Sequence, residues 1–319
     1  MYEKILNKIN EFENIAIFRH AKPDGDCMFS SMALYYFLKD NFNKKIKLGG
    51  FDKFDLLSKN DKISDNFIQN ALIFVLDTAT DNRIDDFRAM AGKYIIKIDH
   101  HPGNNDFGDL NIVNPECSST CELLADIFLS KKFKDFKYSD KVYEYLYSGI
   151  VTDTLNFRTT NVTANTLLIA SKIIKKGNFK PSNIVEKIMD INLSNYYKIN
   201  EIRKNLVVED KFGYIKLNSK QIKKLEMDSN QAKNNIDVIG NIKEFNIWAF
   251  AVENNGKWDC SIRSKRQYII NNVAAKYRGG GHPNAAAVKQ LTNIEINNLF
   301  KELIKMSRKK WKKFVKALF

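Results

Sequence analysis

The sequence predicts a two-domain α/β protein, in which a parallel sheet flanked by helices comes first and a smaller α+β domain follows. In the first part of the chain, apolar strand-like segments alternate with helical ones, a pattern typical of a parallel sheet. Beyond about residue 207, strand-like segments predominate. The length of 319 residues agrees with this division, because domains commonly contain about 150 residues.

Three short apolar runs predict buried strands of the parallel sheet. They cover residues 14–18, 71–77 and 93–99, and aspartate or histidine stands at or just beyond the end of each. A helix is predicted after the first strand, in the segment CMFSSMALYYFL that begins at Cys27. Ligands of such sheets bind in the crevice outside the carboxyl ends of the strands. We therefore expect the ionisable side chains at these ends to lie together.

Helical spacing of apolar residues follows the sheet pattern. It predicts helices over residues 118–129 and 141–153. Ser118 or Ser119 is expected to cap the first of these helices, and Glu122 stands three residues after Ser119, the spacing of a capping box.

The segment from about residue 163 to 205 is also predicted to be helical, with Pro181 beginning a new helix. The change in character after this segment indicates a domain boundary. The expected organisation is a first domain at 1–195, a linker at 196–207 and a second domain at 208–319.

After the helical segment come four strand-like segments, NLVVED, FGYIKL, FNIWAFAVEN and KWDCSIRS. A helix is predicted over residues 269–277, followed by the sequence RGGGHP and a run of alanines. We expect this alanine run to be helical, so that its N-terminus and the glycines before it offer amide groups and a positive dipole to a phosphate.

Composition narrows the class of protein. The formal net charge of +14 favours polyanionic partners such as nucleic acid, although only nine of the 51 basic residues are arginine. The four cysteines form no CxxC pair, which agrees with a reducing compartment. No apolar run approaches the roughly 18 residues that span a bilayer, and the N-terminus lacks the apolar region of a secretory signal. We expect a cytoplasmic protein without membrane contact.

The ionisable residues at the ends of the predicted elements form the candidate site. His20, Asp24 and Asp26 form an H-x3-D-x-D cluster, and three of the four histidines belong to the set. A single strand-end aspartate is usually a turn or helix-cap residue, but so many at equivalent places point to one function. The full set is His20, Asp24, Asp26, Asp77, Asp99, His100, His101 and Asp153.

Carboxylates gathered in one crevice repel one another unless protons or cations neutralise them. Two divalent ions would do so, and ligation by carboxylate and imidazole suits Mn²⁺, with Mg²⁺ or Co²⁺ as alternatives. Two metals that share a carboxylate stabilise both the attacking and the leaving oxygen of a phosphoryl displacement. The predicted reaction class is phosphoester hydrolysis.

Four motifs of the first domain resemble the signature motifs of the DHH phosphoesterase superfamily. They are RHAKPDGD, VLDTATDNR, IDHHP and GIVTDT. In the second domain, SIRSK and AAKYRGGGHPNAAA resemble the DHHA1 module, and the pair of domains is most similar to the oligoribonuclease (nanoRNase) and pAp phosphatase subfamily. Two positions depart from the family pattern, since Phe29 and Leu155 stand where glycine is common.

The resemblance implies a role for each residue of the site. Asp77 would bridge two metals, and Asp99 would orient a ligand imidazole through its other ring nitrogen. His101 would face the scissile phosphate as an electrostatic stabiliser or proton donor. The first metal would be held by His20, Asp24 and Asp77, and the second by Asp26, Asp77, His100 and Asp153.

The second domain is expected to supply the substrate-binding residues, folded over the metal crevice. Arg263 and His282 would hold a terminal phosphate or the nucleotide backbone, and Gly280 and Gly281 would let backbone amides approach it. The implied substrates are short oligoribonucleotides, cleaved to mononucleotides, and 3',5'-adenosine bisphosphate (pAp), converted to AMP. A homodimer is the expected assembly.

Three alternatives to this function stay open at the level of sequence. The first is a phosphodiesterase for linear or cyclic dinucleotides, and the second is a RecJ-like single-strand exonuclease, for which 319 residues leave little room. The third, of a different class, is a nonenzymatic nucleic-acid-binding protein. At the end of the chain, Trp311, Phe314, Val315 and Leu318 recur at helical intervals among lysines, which predicts a terminal amphipathic helix packed on its own domain.

Overall fold

A computed structural model describes residues 2–52, 60–103, 105–265 and 267–308, with the backbone alone at Asn230 and Asn234. The chain divides into two compact units, Met1–Asp190 and Ile191–Phe319. The predicted helix around Trp311 and Phe314 lies outside the described residues. Within them, no helix combines the length and apolar character needed to cross a membrane.

The first unit contains five strands, seven α-helices and two short 3₁₀ helices, Asp81–Arg83 and Phe87–Ala91, among its described residues. The strands are β1 (Asn14–Arg19), β2 (Lys45–Leu48), β3 (Ala71–Leu76), β4 (Tyr94–Asp99) and β5 (Leu110–Val113). The helices are α1 (Tyr2–Glu11), α2 (Gly25–Asn41), α3 (Asp65–Gln69), α4 (Thr120–Leu129), α5 (Asp140–Asp153), α6 (Ala164–Lys176) and α7 (Pro181–Met189).

All strands of the first unit run parallel, in the order β2-β1-β3-β4-β5. Alternate side chains of each strand point to opposite faces, and both faces are buried. Ile15 and Ile17 of β1 pack on one face against α2 and its neighbours. Ala16 and Phe18 pack on the other face, on the side of α3. The predicted fold class is therefore confirmed, with a parallel sheet between two layers of helices.

The three strands predicted from apolar runs are β1, β3 and β4, and the predicted helices after the first strand and over residues 118–129 and 141–153 are α2, α4 and α5. The segment predicted to be helical from about residue 163 contains α6 and α7, and α7 begins at Pro181. Strands β2 and β5 were not predicted, because each has only four residues and several are partly exposed. Ser119 caps α4 by accepting a hydrogen bond from the Glu122 N–H (2.9 Å). The reciprocal half of the predicted capping box is wrong, since the Glu122 carboxylate accepts from Ser118 instead.

The second unit is built on a six-stranded mixed sheet. Its strands are β6 (Leu206–Glu209), β7 (Phe212–Leu217), β8 (Ile247–Asn254), β9 (Lys257–Ser264), β10 (Gly280–His282) and β11 (Ala285–Leu291), in the order β10-β11-β9-β8-β7-β6. Its helices are α8 (Leu193–Arg203), α9 (Ser219–Lys224), α10 (Ser229–Lys233), α11 (Asn271–Lys276) and α12 (Asn293–Ser307). One sheet face packs on α11 and α12, and β7 and β8 on the other face pack near α9 and α10.

The helix predicted for the alanine run is wrong. Residues Ala285–Leu291 form β11, paired with β9 on one side and with β10 on the other. Alanine favours helices in isolation, but pairing with two neighbouring strands overrides that preference. Gly280 and Gly281 consequently belong to the first strand of a hairpin, and no helix N-terminus directly follows His282.

Gly149 of α5 marks a close approach to α4. A Cβ atom at this position would lie 2.1 Å from Cys121 Sγ and 3.0 Å from Asp26 Oδ1. We expect Gly149→Ala to lower the free energy of unfolding by about 1–3 kcal/mol, because an added methyl group overpacks this contact. Urea unfolding monitored by circular dichroism measures the change. Ser171→Ala, at an exposed position of α6, is the control, and equal stability of the two variants would contradict the prediction.

Candidate metal centre

The predicted site residues lie at one edge of the parallel sheet. His20 follows β1, Asp77 follows β3, and Asp99 ends β4 immediately before the two other histidines of the first unit. The remaining carboxylates belong to helix ends that reach the same edge. Asp24 caps α2, Asp26 lies in the first turn of α2, and Asp153 is the last residue of α5.

His20 faces two carboxylates. Its Nε2 atom lies 3.7 Å from Asp24 Oδ2 and 3.5 Å from Asp77 Oδ2. His20 and Asp77 are buried, whereas the Asp24 side chain is 61% exposed. This group is therefore open to solvent on the side of Asp24, which also accepts a hydrogen bond from the Cys27 N–H as the cap of α2 (3.1 Å).

His100 faces three carboxylates. Its Nε2 atom lies 3.6 Å from Asp77 Oδ1, 3.7 Å from Asp153 Oδ2 and 4.0 Å from Asp26 Oδ2. The two carboxylate oxygens of Asp77 thus face different imidazoles, Oδ2 toward His20 and Oδ1 toward His100. Asp77 is common to the two groups.

These separations fit cation ligands better than direct hydrogen bonds. Distances of 3.5–4.0 Å between nitrogen and oxygen exceed normal hydrogen-bond lengths. Two ligand atoms about 2.1 Å from one octahedral ion are separated by about 3.0 Å when adjacent and about 4.2 Å when opposite. The observed distances lie within this interval, so a cation of ordinary size fits between the atoms.

The two imidazoles present the correct nitrogen for metal binding. His20 Nδ1 donates to the Ala21 carbonyl (2.9 Å), and His100 Nδ1 donates to the Cys117 carbonyl (3.3 Å). A carbonyl only accepts, so Nδ1 of each ring carries a proton, and Nε2 is the nitrogen left for a metal. Burial lowers the pKa of His20, but its contacts with Asp24 and Asp77 outweigh burial and raise it, so a cation would have to displace the proton on its Nε2. Burial lowers the pKa of His100, which favours the neutral, ligating form.

The carboxylates are held together against their mutual repulsion. Burial raises the pKa of Asp26 well above its usual value, and the charges of Asp77, Asp153 and Asp24 raise it further, against the hydrogen bond from the Cys121 N–H. Burial, together with the charges of Asp77 and Asp24, raises the pKa of Asp153 to about 7. A bound cation would remove this conflict, since it neutralises the charges that the carboxylates bring together.

Helix α4 fixes two of these carboxylates, a contribution that local sequence patterns did not reveal. The backbone N–H groups of Thr120 and Cys121, in the first turn of α4, donate to Asp26 Oδ2 (2.6 Å) and Oδ1 (2.9 Å). The Thr120 hydroxyl donates to Asp77 Oδ1 (3.0 Å). The unpaired amides of a helix N-terminus suit an anion, so Asp26 is held there without a cationic side chain.

Asp77 also has an unusual backbone conformation. Its φ of 52° lies in the left-handed region, which non-glycine residues adopt at a cost. Hydrogen bonding of its backbone N–H to the Ile98 carbonyl (3.0 Å) keeps the residue tied to β4. The strained backbone conformation therefore occurs at the residue that is common to both groups of ligand atoms.

Asp99 orients a histidine, but not the one expected. We expected it to hold a ligand imidazole, and this is wrong, because the Nδ1 atom of His100 is taken by the Cys117 carbonyl. Instead, Asp99 Oδ1 lies 2.8 Å from His101 Nδ1 and accepts a hydrogen bond from the His101 N–H (3.2 Å). His101 Nδ1 is also 3.5 Å from Asp77 Oδ1, so its ring borders the ligand groups.

Cys27 is a member of the site that the sequence analysis missed. One ligand atom each from His20, Cys27 and Asp77 lies within 4.8 Å of the others, and all three residues are buried. Burial raises the pKa of the Cys27 thiol to about 12, so the thiol is protonated when no cation is present. The local sequence DGDC gives no sign of this role, because Cys27 meets His20 and Asp77 only when β1, β3 and α2 come together in the fold.

In the second unit, the expected substrate residues share one face of the sheet. His282 of β10 pairs with Ala285 of β11, which pairs with Arg263 of β9. Directly paired residues place their side chains on the same face, so Arg263 and His282 flank a short alanine. Gly280 also pairs across this hairpin, and Gly281 has a φ of 134° that favours glycine.

Comparison with known proteins identifies the family. Residues 14–150 match the DHH family, N-terminal domain, and residues 211–309 match the DHHA1 domain. A probable bifunctional oligoribonuclease and PAP phosphatase NrnA from Streptococcus mutans is 34% identical over 312 residues, covering 95% of this chain and 97% of that protein. The chain belongs to the DHH family.

Two further similar proteins match nearly the whole chain. The bifunctional oligoribonuclease and PAP phosphatase NrnA from Bacillus subtilis is 30% identical over 308 residues, covering 95% of this chain and 97% of the relative. The crystal structure of an exopolyphosphatase-related protein from Bacteroides fragilis is 25% identical, with a TM-score of 0.84 and coverage of 95% of each chain. The resemblance drawn from the motifs is therefore confirmed.

The two departures from the DHH pattern have different structural consequences. Leu155 has a φ of 47°, and Asn156 and Phe157 also have positive φ, so the turn after Asp153 has the conformation that glycine adopts without steric cost. Phe29 lies in α2, 5% exposed, and its ring stacks on Tyr145 of α5 with 6.1 Å between centroids. Neither residue replaces a candidate ligand.

The hydrogen bond from Thr120 to Asp77 yields a test of the metal centre. We expect Thr120→Val to raise the dissociation constant for Mn²⁺ about 10- to 100-fold, because loss of an outer hydrogen bond frees the ligand to reorient. Isothermal titration calorimetry measures the constant. Thr120→Ser keeps the hydroxyl and is expected to bind like the wild type; equal weakening in both variants would exclude the hydrogen bond as the cause.

Proposed function

We propose that the chain is a metal-dependent phosphoesterase that hydrolyses short oligoribonucleotides to mononucleotides and pAp to AMP. The observation that carries this proposal is the position of Asp77, whose two oxygens face separate imidazole and carboxylate groups. Membership of the DHH family and the names of the relatives from Streptococcus mutans and Bacillus subtilis support the substrate class.

Two divalent cations complete the proposal. His20, Asp24 and Asp77 would hold one, and Asp26, Asp77, His100 and Asp153 would hold the other. When bound, they supply electrostatic stabilisation of the charge that develops on a phosphoryl group in transfer. Manganese suits the carboxylate and imidazole donors. The lowered pKa of His100 supports this assignment, because a neutral imidazole can bind a metal. The raised pKa of Asp26 also supports it, because this shift reflects a crowding of negative charge that a cation would relieve.

The residues of the chain that are not ligands have separate tasks. His101, whose ring is hydrogen-bonded to Asp99, would face the scissile phosphate as an electrostatic stabiliser or proton donor. Arg263 and His282 bind a substrate phosphate, with Gly280 and Gly281 giving access to the backbone. Burial lowers the pKa of Arg263, yet a guanidinium keeps its charge at neutral pH, so it remains an anion ligand.

The expected environment and assembly are also part of the proposal. The four cysteines are free and buried, which supports a reducing compartment and hence the cytoplasm. The homodimer and the domain boundaries expected from sequence stay predictions. Sedimentation velocity of the purified chain would check the dimer.

The function is tested with a panel of phosphoesters. Purified protein is incubated with pAp, RNA of two to five nucleotides, linear and cyclic dinucleotides, and long single-stranded DNA, with Mn²⁺ and Mg²⁺ compared. We expect turnover of pAp and short RNA, loss of turnover on chelation and recovery with Mn²⁺. Preference for dinucleotides or long DNA would favour the other enzymatic functions, and binding of RNA without turnover of any compound would favour a binding protein.

Asp77 provides the sharpest single substitution. We expect Asp77→Asn to lower kcat for pAp by at least about 10²-fold, because the amide keeps the size of the side chain but removes the charge shared by both ligand groups. Asparagine also tolerates the left-handed backbone at this position. Steady-state kinetics measure the loss, with exposed Asp135→Asn as the control. Near-normal turnover would exclude the shared carboxylate.

Arg263 separates substrate binding from metal binding. We expect Arg263→Ala to raise KM for pAp at least about tenfold, the effect of losing one charge-assisted hydrogen bond, while the affinity for Mn²⁺ stays that of the wild type. Kinetics and calorimetry provide the two measurements. Lys257→Ala, at an exposed position of the same strand, is the control for general loss of positive charge. Unchanged KM would remove Arg263 from the substrate site.

A further inference from the structure

Lys97 is a buried cation that the sequence analysis left without a role. It lies in β4, two residues before Asp99, and only 2% of its surface is exposed. Lysine is rarely buried to this degree, because removing an ammonium group from water is costly unless other groups replace its hydration. The groups that contact the ammonium group in place of water therefore indicate the function of this side chain.

The Lys97 ammonium group joins two loops of the candidate site. Nζ donates to the Ala79 carbonyl (2.9 Å), in the loop that follows Asp77, and to the Asn105 carbonyl (3.0 Å), in the loop that follows His101. It also lies 4.9 Å from the centre of the Phe107 ring, a favourable position for a cation.

The Lys97 ammonium group also lies beside the Asp99 carboxylate. Residues two apart in a strand share a face, so Lys97 and Asp99 lie side by side, and Nζ is 3.4 Å from Asp99 Oδ2. Among the described residues, Oδ2 has no hydrogen-bond partner, whereas Oδ1 is occupied by His101. Asp99 is fully buried, so Lys97 supplies positive charge to a carboxylate that water does not reach.

We propose that Lys97 is a positioning residue for His101 and acts through Asp99. Its ammonium group holds the Asp99 carboxylate from the side of Oδ2, and Oδ1 then fixes the His101 ring at the border of the ligand groups. The hydrogen bonds from Lys97 to the Ala79 and Asn105 carbonyls hold the two loops beside Asp99 and His101. The inference rests on the proposed function for its effect on turnover, but its effect on the His101 ring does not depend on activity.

A purely structural role makes a different prediction. If Lys97 only supports the two loops, its loss should disturb the neighbouring ligands and weaken metal binding. If it acts through Asp99, its loss should lower kcat, leave KM and metal affinity close to wild type, and add nothing once Asp99 has been changed.

The test is a double-mutant cycle with Lys97→Met, Asp99→Asn and the combined variant. We expect Lys97→Met to lower kcat for pAp about 10- to 100-fold, as for other residues that orient an active-site side chain. The combined variant should lose no more than Asp99→Asn alone, because residues of one pathway are not additive. Mn²⁺ affinity from calorimetry should stay within about threefold of the wild-type value, a difference of about 0.7 kcal/mol. Lys93→Met, exposed just before the same strand, is the control and should behave as wild type.

Nitrogen-15 NMR of the histidine rings provides the readout that needs no turnover. In the wild type we expect His101 Nδ1 to carry a proton that is hydrogen-bonded to Asp99, and in Lys97→Met that signal should shift and exchange faster with water. His101→Gln assigns the resonance. If Lys97→Met does not fold, judged by its thermal transition, Lys97→Gln replaces it, because the amide can still donate to a loop carbonyl.

The outcomes separate this inference from the proposed function. Additive losses of kcat, unchanged kcat or a parallel loss of metal affinity would overturn the positioning role, as would an unaltered His101 resonance. If the wild type hydrolyses no phosphoester but the resonance of His101 still depends on Lys97, the proposed function fails and the positioning of the ring stands.

Discussion

The repulsion between buried carboxylates is the constraint around which the first unit is organised. Asp26, Asp77 and Asp153 all lie within 4.0 Å of one nitrogen of His100, and two of these aspartates are almost inaccessible to water. A fold retains such an arrangement only when other groups stabilise the charges. Here the helix amides of α4 and the Thr120 hydroxyl supply part of that stabilisation, and a cation would supply the rest.

The strand order explains how residues distant in sequence reach this point. In the order β2-β1-β3-β4-β5, the chain passes from β1 outward to β2 and then returns to the other side of β1, which opens a crevice between β1 and β3. His20 and Asp77 follow these two strands directly. Helices α2, α4 and α5 then bring their ends to the same edge, so the ligand groups are fixed by regular elements and not by long loops.

Sequence predicted the parts of this arrangement that follow from local pattern. The apolar runs of β1, β3 and β4 are long enough to identify buried strands, and their polar ends identified the ligand candidates. Partners chosen by packing were not predictable, such as Thr120 for Asp77 and His101 for Asp99. The helix predicted for the alanines of β11 was wrong for a related reason. The intrinsic helix preference of alanine is small compared with the stabilisation from pairing with two neighbouring strands.

The spread of the candidate ligands from residue 20 to residue 153 links ion binding to folding. An unfolded chain cannot gather these side chains, so cations would bind the native unit alone and stabilise it by mass action, by about 2.7 kcal/mol at one hundred times the dissociation constant. The parallel strands between them pair only after long loops close, which makes such sheets slow to form. Cation binding would therefore begin only in the last stage of folding, when the strands of this unit have paired.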